Sequence, residues 1–201
     1  GLPPHVTAAT GIDAMVHAIE AYTSKIKKNT YSDLLAREAL RLISSYLVTA
    51  VNEGKNLEAR QAMLYGAMLA GQAFANAPVA AVHALAYPLG GHYHISHGLS
   101  NSLMLPHVLR FNMPVAEKLY AELCKLIPSA NGIMPSGEKF VDILMGLISE
   151  TGIPHTLKAV NVPRADLPML ARDAMLQQRL LVNNPRVVTE ADALRLYEEA
   201  W

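Results

Sequence analysis

Apolar residues recur every three or four positions along most of the chain, the spacing of one helix face rather than of a strand. The pattern predicts helices over residues 10–23, 31–51, 57–74 and 98–111. It continues over 116–126, 136–151 and 165–176, with a last helix from about Thr189 to the C-terminus. Residues 79–89 are mostly small and read as a further short helix. Polar residues mark the starts. Ser32 or Asp33 can cap the second helix, Ser136 precedes Glu138 and Lys139, and Thr189 leads Glu190 and Asp192. Gly54, Ala77-Pro78, Gly90-Gly91 and Gly152-Ile153-Pro154 mark the stops. Residues 158–162 alternate weakly, with nothing to pair them into a sheet. The expected fold class is all-α, a single helical domain of about seven to nine helices over residues 1–201.

Composition narrows the function classes. Hydrophobic residues make up 51% and charged residues 17%, which excludes a disordered chain. Seventeen basic residues balance seventeen acidic ones, so no electrostatic footprint for nucleic acid is present. The cluster Lys25, Lys27 and Lys28 reads as a solvated helix end. The single cysteine, Cys124, rules out an intrachain disulfide and fits a reducing, cytoplasmic setting. The most apolar window, residues 73–91, is interrupted by Asn76, Pro78, His83 and Pro88, so no membrane span is expected. The opening Gly-Leu-Pro-Pro shows neither initiator methionine nor signal peptide, and suggests a piece of a longer protein or a processed product.

Candidate chemistry comes from the histidines. Five of the eight lie between His83 and His107. Asp13 and His17 are four residues apart, on one helix face and roughly 6 Å apart along the axis. Their neighbours on that helix are apolar, a setting in which an unpaired carboxylate is costly. If Gly90-Gly91 turns the chain sharply, the helices carrying His83 and His97 can meet at one point. Asp13, His17, His83 and His97 would then offer one oxygen and three nitrogens, a set suited to Fe(II) or Zn(II). Spacing alone leaves the alternative open, because a histidine in an apolar helix can equally be a hydrogen-bonded core residue.

Longer words sharpen the picture. Residues 11–22, GIDAMVHAIEAY, closely resemble the first signature of the iron-containing (group III) alcohol dehydrogenases. Residues 83–91, HALAYPLGG, running on to His97-Gly98-Leu99-Ser100-Asn101 and Leu105-Pro106-His107-Val108, are similar to the second. Asn184-Pro185-Arg186 looks like the family's motif near the C-terminus. The resemblance implies the helical C-terminal half of a two-domain dehydrogenase, with iron or zinc held by Asp13, His17, His83 and His97. It implies a small alcohol, aldehyde or hydroxy acid as substrate and a possible homodimer. NAD or NADP would be bound mainly by an N-terminal α/β domain, with residues 2–10 as the hinge from it. This chain itself shows no Gly-rich strand-turn-helix.

Many members carry a second histidine four residues after the one matching His83, often given a proton-transfer role; here that position is Tyr87. Tyr87 is therefore the catalytic candidate, set against two alternatives: that it packs on the pocket wall, or that a metal-bound water and His92 or His94 take over the relay. Its unperturbed pKa near 10 is far from neutral. Phe74, His92 and His94 are expected to border the substrate pocket. His107 reads as a packing or hydrogen-bonding residue, and His5 and His155 as surface residues. Three other readings stay open: a non-catalytic helical metal-binding module, a maleylacetate reductase-like member of the same family, and a metal-dependent hydrolase. For the hydrolase, Glu20 is the one nearby carboxylate to act as base, unless it is hydrogen-bonded within the helix layer.

Overall fold

The computed structural model describes residues 1–132 and 134–201. Among them are nine α-helices and no strand, as the periodicity predicts. They are α1 (Pro4–Thr23), α2 (Thr30–Asn52), α3 (Leu57–Asn76), α4 (Ala81–Tyr93) and α5 (His97–Cys124), then α6 (Gly137–Glu150), α7 (Leu167–Ala174), α8 (Gln178–Leu181) and α9 (Glu190–Ala200). No described helix is long and apolar enough to cross a membrane.

The first helix is the axis of the core. Its Ile12, Met15, Val16 and Ile19 are fully buried, and α2, α3 and α5 pack around it. A helix apolar on nearly every side has no face to give to water, so it sits inside the others. Each of those four side chains contributes roughly 1.5–3 kcal/mol by leaving water. Polar groups inside such a core must be paired, and this condition shapes the site below.

Four expectations change. The first helix, expected from residue 10, begins at Pro4 and takes in most of the segment 2–10. Pro4 stands in the first turn, where a missing N–H costs nothing, and the Thr7 N–H donates to the Pro3 carbonyl. The start of α2 is capped by Asn29, whose side chain accepts from the Ser32 N–H while the Ser32 hydroxyl accepts from the Asn29 N–H. The helices expected over 98–111 and 116–126 are one continuous α5, despite Pro106 and Pro114 within it. Its buried face runs unbroken from Leu103 through Leu109 to Ala116, Tyr120 and Leu123, and this packing outweighs the hydrogen bonds the two prolines remove. Finally, α4 runs through Gly90-Gly91 and ends at Tyr93, with the turn made by His94 in the left-handed region (φ 53°). Side chains hold that last turn in helical form. The Tyr93 hydroxyl donates to Asp166 at 2.6 Å, and His92 Nε2 pairs with Asp173 at 2.6 Å.

The C-terminal elements brace α4. The Tyr197 hydroxyl of α9 donates to the Leu85 carbonyl, and the Asn183 amide donates to the Val79 carbonyl at 3.1 Å. The short α8 and the 3-10 turn over Arg164–Asp166 were not resolved by periodicity, since neither spans enough residues to display a face.

Candidate metal centre

Three helices meet at one point. Asp13 and His17 stand one turn apart in the middle of α1, His83 is in the first turn of α4, and His97 is the first residue of α5. One ligand atom from each lies within 4.8 Å of the other three. Asp13 Oδ1 is 3.5 Å from His97 Nε2 and 3.6 Å from His83 Nε2, while Asp13 Oδ2 is 4.0 Å from His17 Nε2. These separations are too long for direct hydrogen bonds but suit groups facing a common centre.

Glycine allows the approach. A Cβ on Gly98 would lie 2.3 Å from the Ala9 carbonyl oxygen and 2.6 Å from its carbon. Neither backbone can give way, so only glycine lets the start of α5 rest on α1 and bring His97 beside Asp13.

Each side chain has its own support. Phe74 stacks on His17 with ring centroids 4.5 Å apart, and His17 stacks on His83 at 4.8 Å. Glu20 is buried and accepts three hydrogen bonds: from the Ala80 N–H at 2.9 Å, the Val82 N–H at 2.7 Å and His83 Nδ1 at 2.7 Å. The Asn101 amide donates to Asp13 Oδ1 at 2.5 Å and lies 3.2 Å from His97 Nε2. His83 is 2% exposed and His97 48%, so the site has a closed back and an accessible front.

The electrostatics follow from this crowding. Burial raises the Asp13 carboxyl, but His83, His17 and His97 around it bring it below the usual range. Burial pushes His17 down to about 4, helped by His83 and His97 and only partly opposed by Asp13. Burial also pushes His83 down, yet Asp13 and Glu20 outweigh it and raise the ring to about 9. A proton or a cation is thus strongly favoured between those two carboxylates.

The donor set fits a metal ion. His83 Nε2 is buried with no protein hydrogen-bond partner, and it faces the other three ligands. A buried polar nitrogen without a partner is costly, and Fe(II) or Zn(II) would displace its proton and take its lone pair.

The remaining candidates sit around this cluster. Tyr87 lies beside His97, ring centroids 5.9 Å apart. It shares a recess of about 320 Å³ with His92, Asp173 and Leu176. His92 is engaged by Asp173, and His94 is exposed at the helix end; neither belongs to the four-residue cluster. His107 is largely buried, with the Glu199 carboxylate 3.9 Å away. Two contributors lay outside the expected site residues. Asn101 follows His97 by four, so the spacing that joins Asp13 to His17 points to it as well. Glu20, the one carboxylate near enough to serve a hydrolase as base, is instead occupied by three bonds within the helix layer.

The profile of the Fe-containing alcohol dehydrogenase family, C-terminal part, matches residues 7–201. The chain belongs to this family. It is 43% identical over 203 residues to long-chain-alcohol dehydrogenase 1 of Geobacillus thermodenitrificans, covering 100% of this chain and 51% of that one. It is 39% identical over 204 residues to 1,3-propanediol dehydrogenase of Klebsiella pneumoniae, covering 100% and 52%. The crystal structure of a 1,3-propanediol oxidoreductase superposes with a TM-score of 0.94 at 38% identity, over 100% of this chain and 53% of that one. The chain therefore spans about half the length of these relatives and corresponds to the helical C-terminal half of the iron-containing dehydrogenase fold.

Proposed function

We propose that this chain supplies the metal site of an NAD(P)-dependent alcohol dehydrogenase or carbonyl reductase acting on a small alcohol, aldehyde or hydroxy acid. Asp13, His17, His83 and His97 hold Fe(II) or Zn(II). The observation that carries the reading is their convergence from three helices around the unpartnered, buried His83 Nε2. Such an ion supplies Lewis acidity to an alcohol or carbonyl oxygen. Access from the half-exposed His97 side favours this over a closed structural site, which would leave no room for a small molecule.

In this reading the chain's own residues do three things. Phe74 and the stacked His17 wall one side of the pocket against water. Tyr87, beside His97, stands where a hydroxyl can orient the substrate or pass its proton outward, towards the recess it shares with His92. His94, exposed at the turn between α4 and α5, borders the approach. The hydride carrier is a nicotinamide nucleotide, since none of these side chains carries hydride. NAD or NADP is bound chiefly by a separate α/β half, and the working enzyme is a cytoplasmic homodimer. Long-chain alcohol, propanediol and lactaldehyde enzymes among the relatives support the substrate class.

Elemental analysis of the purified 201-residue chain tests the metal site. About one equivalent of iron or zinc is expected, lost in both Asp13→Ala and His97→Ala. Absence of metal after reconstitution under reducing conditions, or its retention in both variants, would overturn the assignment.

A further inference from the structure

Glu20 takes no part in the chemistry proposed above, yet it is more completely enclosed than any of the ligands except His83. Its side chain is 4% exposed, and His83 is 2% exposed. Positions 13, 17 and 20 are spaced by four and three, so Glu20 shares the α1 face that carries Asp13 and His17. It points across to α4, where Oε2 accepts from the Ala80 N–H and Oε1 from the Val82 N–H. Those two N–H groups belong to the start of α4, which has no side-chain cap of its own. Glu20 supplies the cap from a different helix.

The third bond decides the histidine's chemistry. With both carboxylate oxygens already accepting backbone N–H groups, the hydrogen shared with His83 belongs to the ring, on Nδ1. Once the ring is neutral, the lone pair is left on Nε2, the atom that faces Asp13 and has no other partner. Had the hydrogen sat on Nε2, it would occupy the point where the ligands meet and leave Nδ1 facing a carboxylate without a proton between them.

We infer that Glu20 is the positioning residue that makes His83 a metal ligand, by holding the hydrogen on Nδ1 and anchoring the ring to α1 through the first turn of α4. The inference rests on the metal-site reading above. Carboxylate partners of this kind raise the basicity of the ligating nitrogen, and their loss costs roughly 10–100-fold in metal affinity. In Glu20→Gln the amide has one accepting oxygen and one NH2 group, so it cannot serve two backbone donors and the ring hydrogen together.

The experiment uses the 201-residue chain, labelled with 15N-histidine and titrated with zinc against a chromophoric chelator. Glu20→Gln should bind zinc roughly 10–100-fold more weakly with helical circular dichroism retained. In the zinc-loaded parent chain, His83 should show a ring N–H on Nδ1, shifted downfield by its carboxylate acceptor and moved upfield in the variant. Equal zinc affinity in Glu20→Gln would overturn the inference. So would a zinc-loaded parent whose His83 proton is on Nε2, and this second measurement decides the matter even if the variant fails to fold. A parent chain that binds no zinc fails the metal site itself, whereas equal binding by parent and variant fails only the role of Glu20.

Discussion

Two histidines of α4 each meet a carboxylate from another helix at nearly the same distance, and their surroundings make the two pairs different devices. His83 Nδ1 meets Glu20 at 2.7 Å with side chains 2% and 4% exposed, and His92 Nε2 meets Asp173 at 2.6 Å with side chains 40% and 38% exposed. At the buried pair no water can replace a lost partner, so Glu20 also satisfies two backbone donors and the whole start of α4 depends on it. At the exposed pair water competes for both groups and salt screens them. Geometry alone would rank the two as equals. Burial decides which one organises the fold and which one merely pins a helix end.

The comparison can be broken most forcefully by removing the buried acid. Glu20→Ala leaves two backbone N–H groups and His83 without a partner, and should destabilise the chelator-treated protein by about 3–5 kcal/mol in urea unfolding. A loss under about 1 kcal/mol would remove the distinction between the pairs.

Acidity probes the same pair without mutation. The His83 ring is raised from 6.5 to about 9 against its burial, because Asp13 and Glu20 favour its charged form. A raised folded-state value means stability that is fully present below pH 6.5 and is lost as pH rises through about 9. The chelator-treated protein should therefore lose at most roughly 3 kcal/mol across that window, measured as urea midpoints at stepped pH. Zinc competes with the proton for Nε2, so zinc affinity should climb over the same range. A stability profile that stays flat would show that the ring is not held charged between the two carboxylates.

The smallest effect belongs to the exposed pair. Asp173→Ala should cost under about 1 kcal/mol, and less still at high salt. A cost as large as that of Glu20→Ala would mean that the anchoring of α4 to α7 carries far more of the fold than its exposure implies.

Much of this molecule was readable from spacing, and the exceptions share a cause. Helix identity followed from periodicity, because a buried face repeats whatever packs on it. Helix ends did not. The end of α4 was expected at Gly90-Gly91, but distant Asp166 and Asp173 carry it on to Tyr93. The merging of two expected helices into α5 likewise depends on what its long apolar face meets. At the site, Asp13 and His17 were legible as a pair on one turn, spacing offered His83 and His97 as partners with a core role left open, and the family words implied the same four. The meeting of those four in space, and the parts of Glu20 and Asn101, emerge only when α1, α4 and α5 are assembled. No local pattern encodes a bond such as that between Glu20 and His83, which lie 63 residues apart.

The bare contact between Gly98 and the Ala9 carbonyl makes helix spacing and ligand reach a single variable. His97 is the residue just before that contact, so any side chain that wedges α5 off α1 must also carry His97 away from Asp13. In the proposed metal site, the reach of His97 is therefore a matter of backbone architecture. Sequence drift at position 98 would disturb the packing of α5 on α1 and the approach of His97 to Asp13 together.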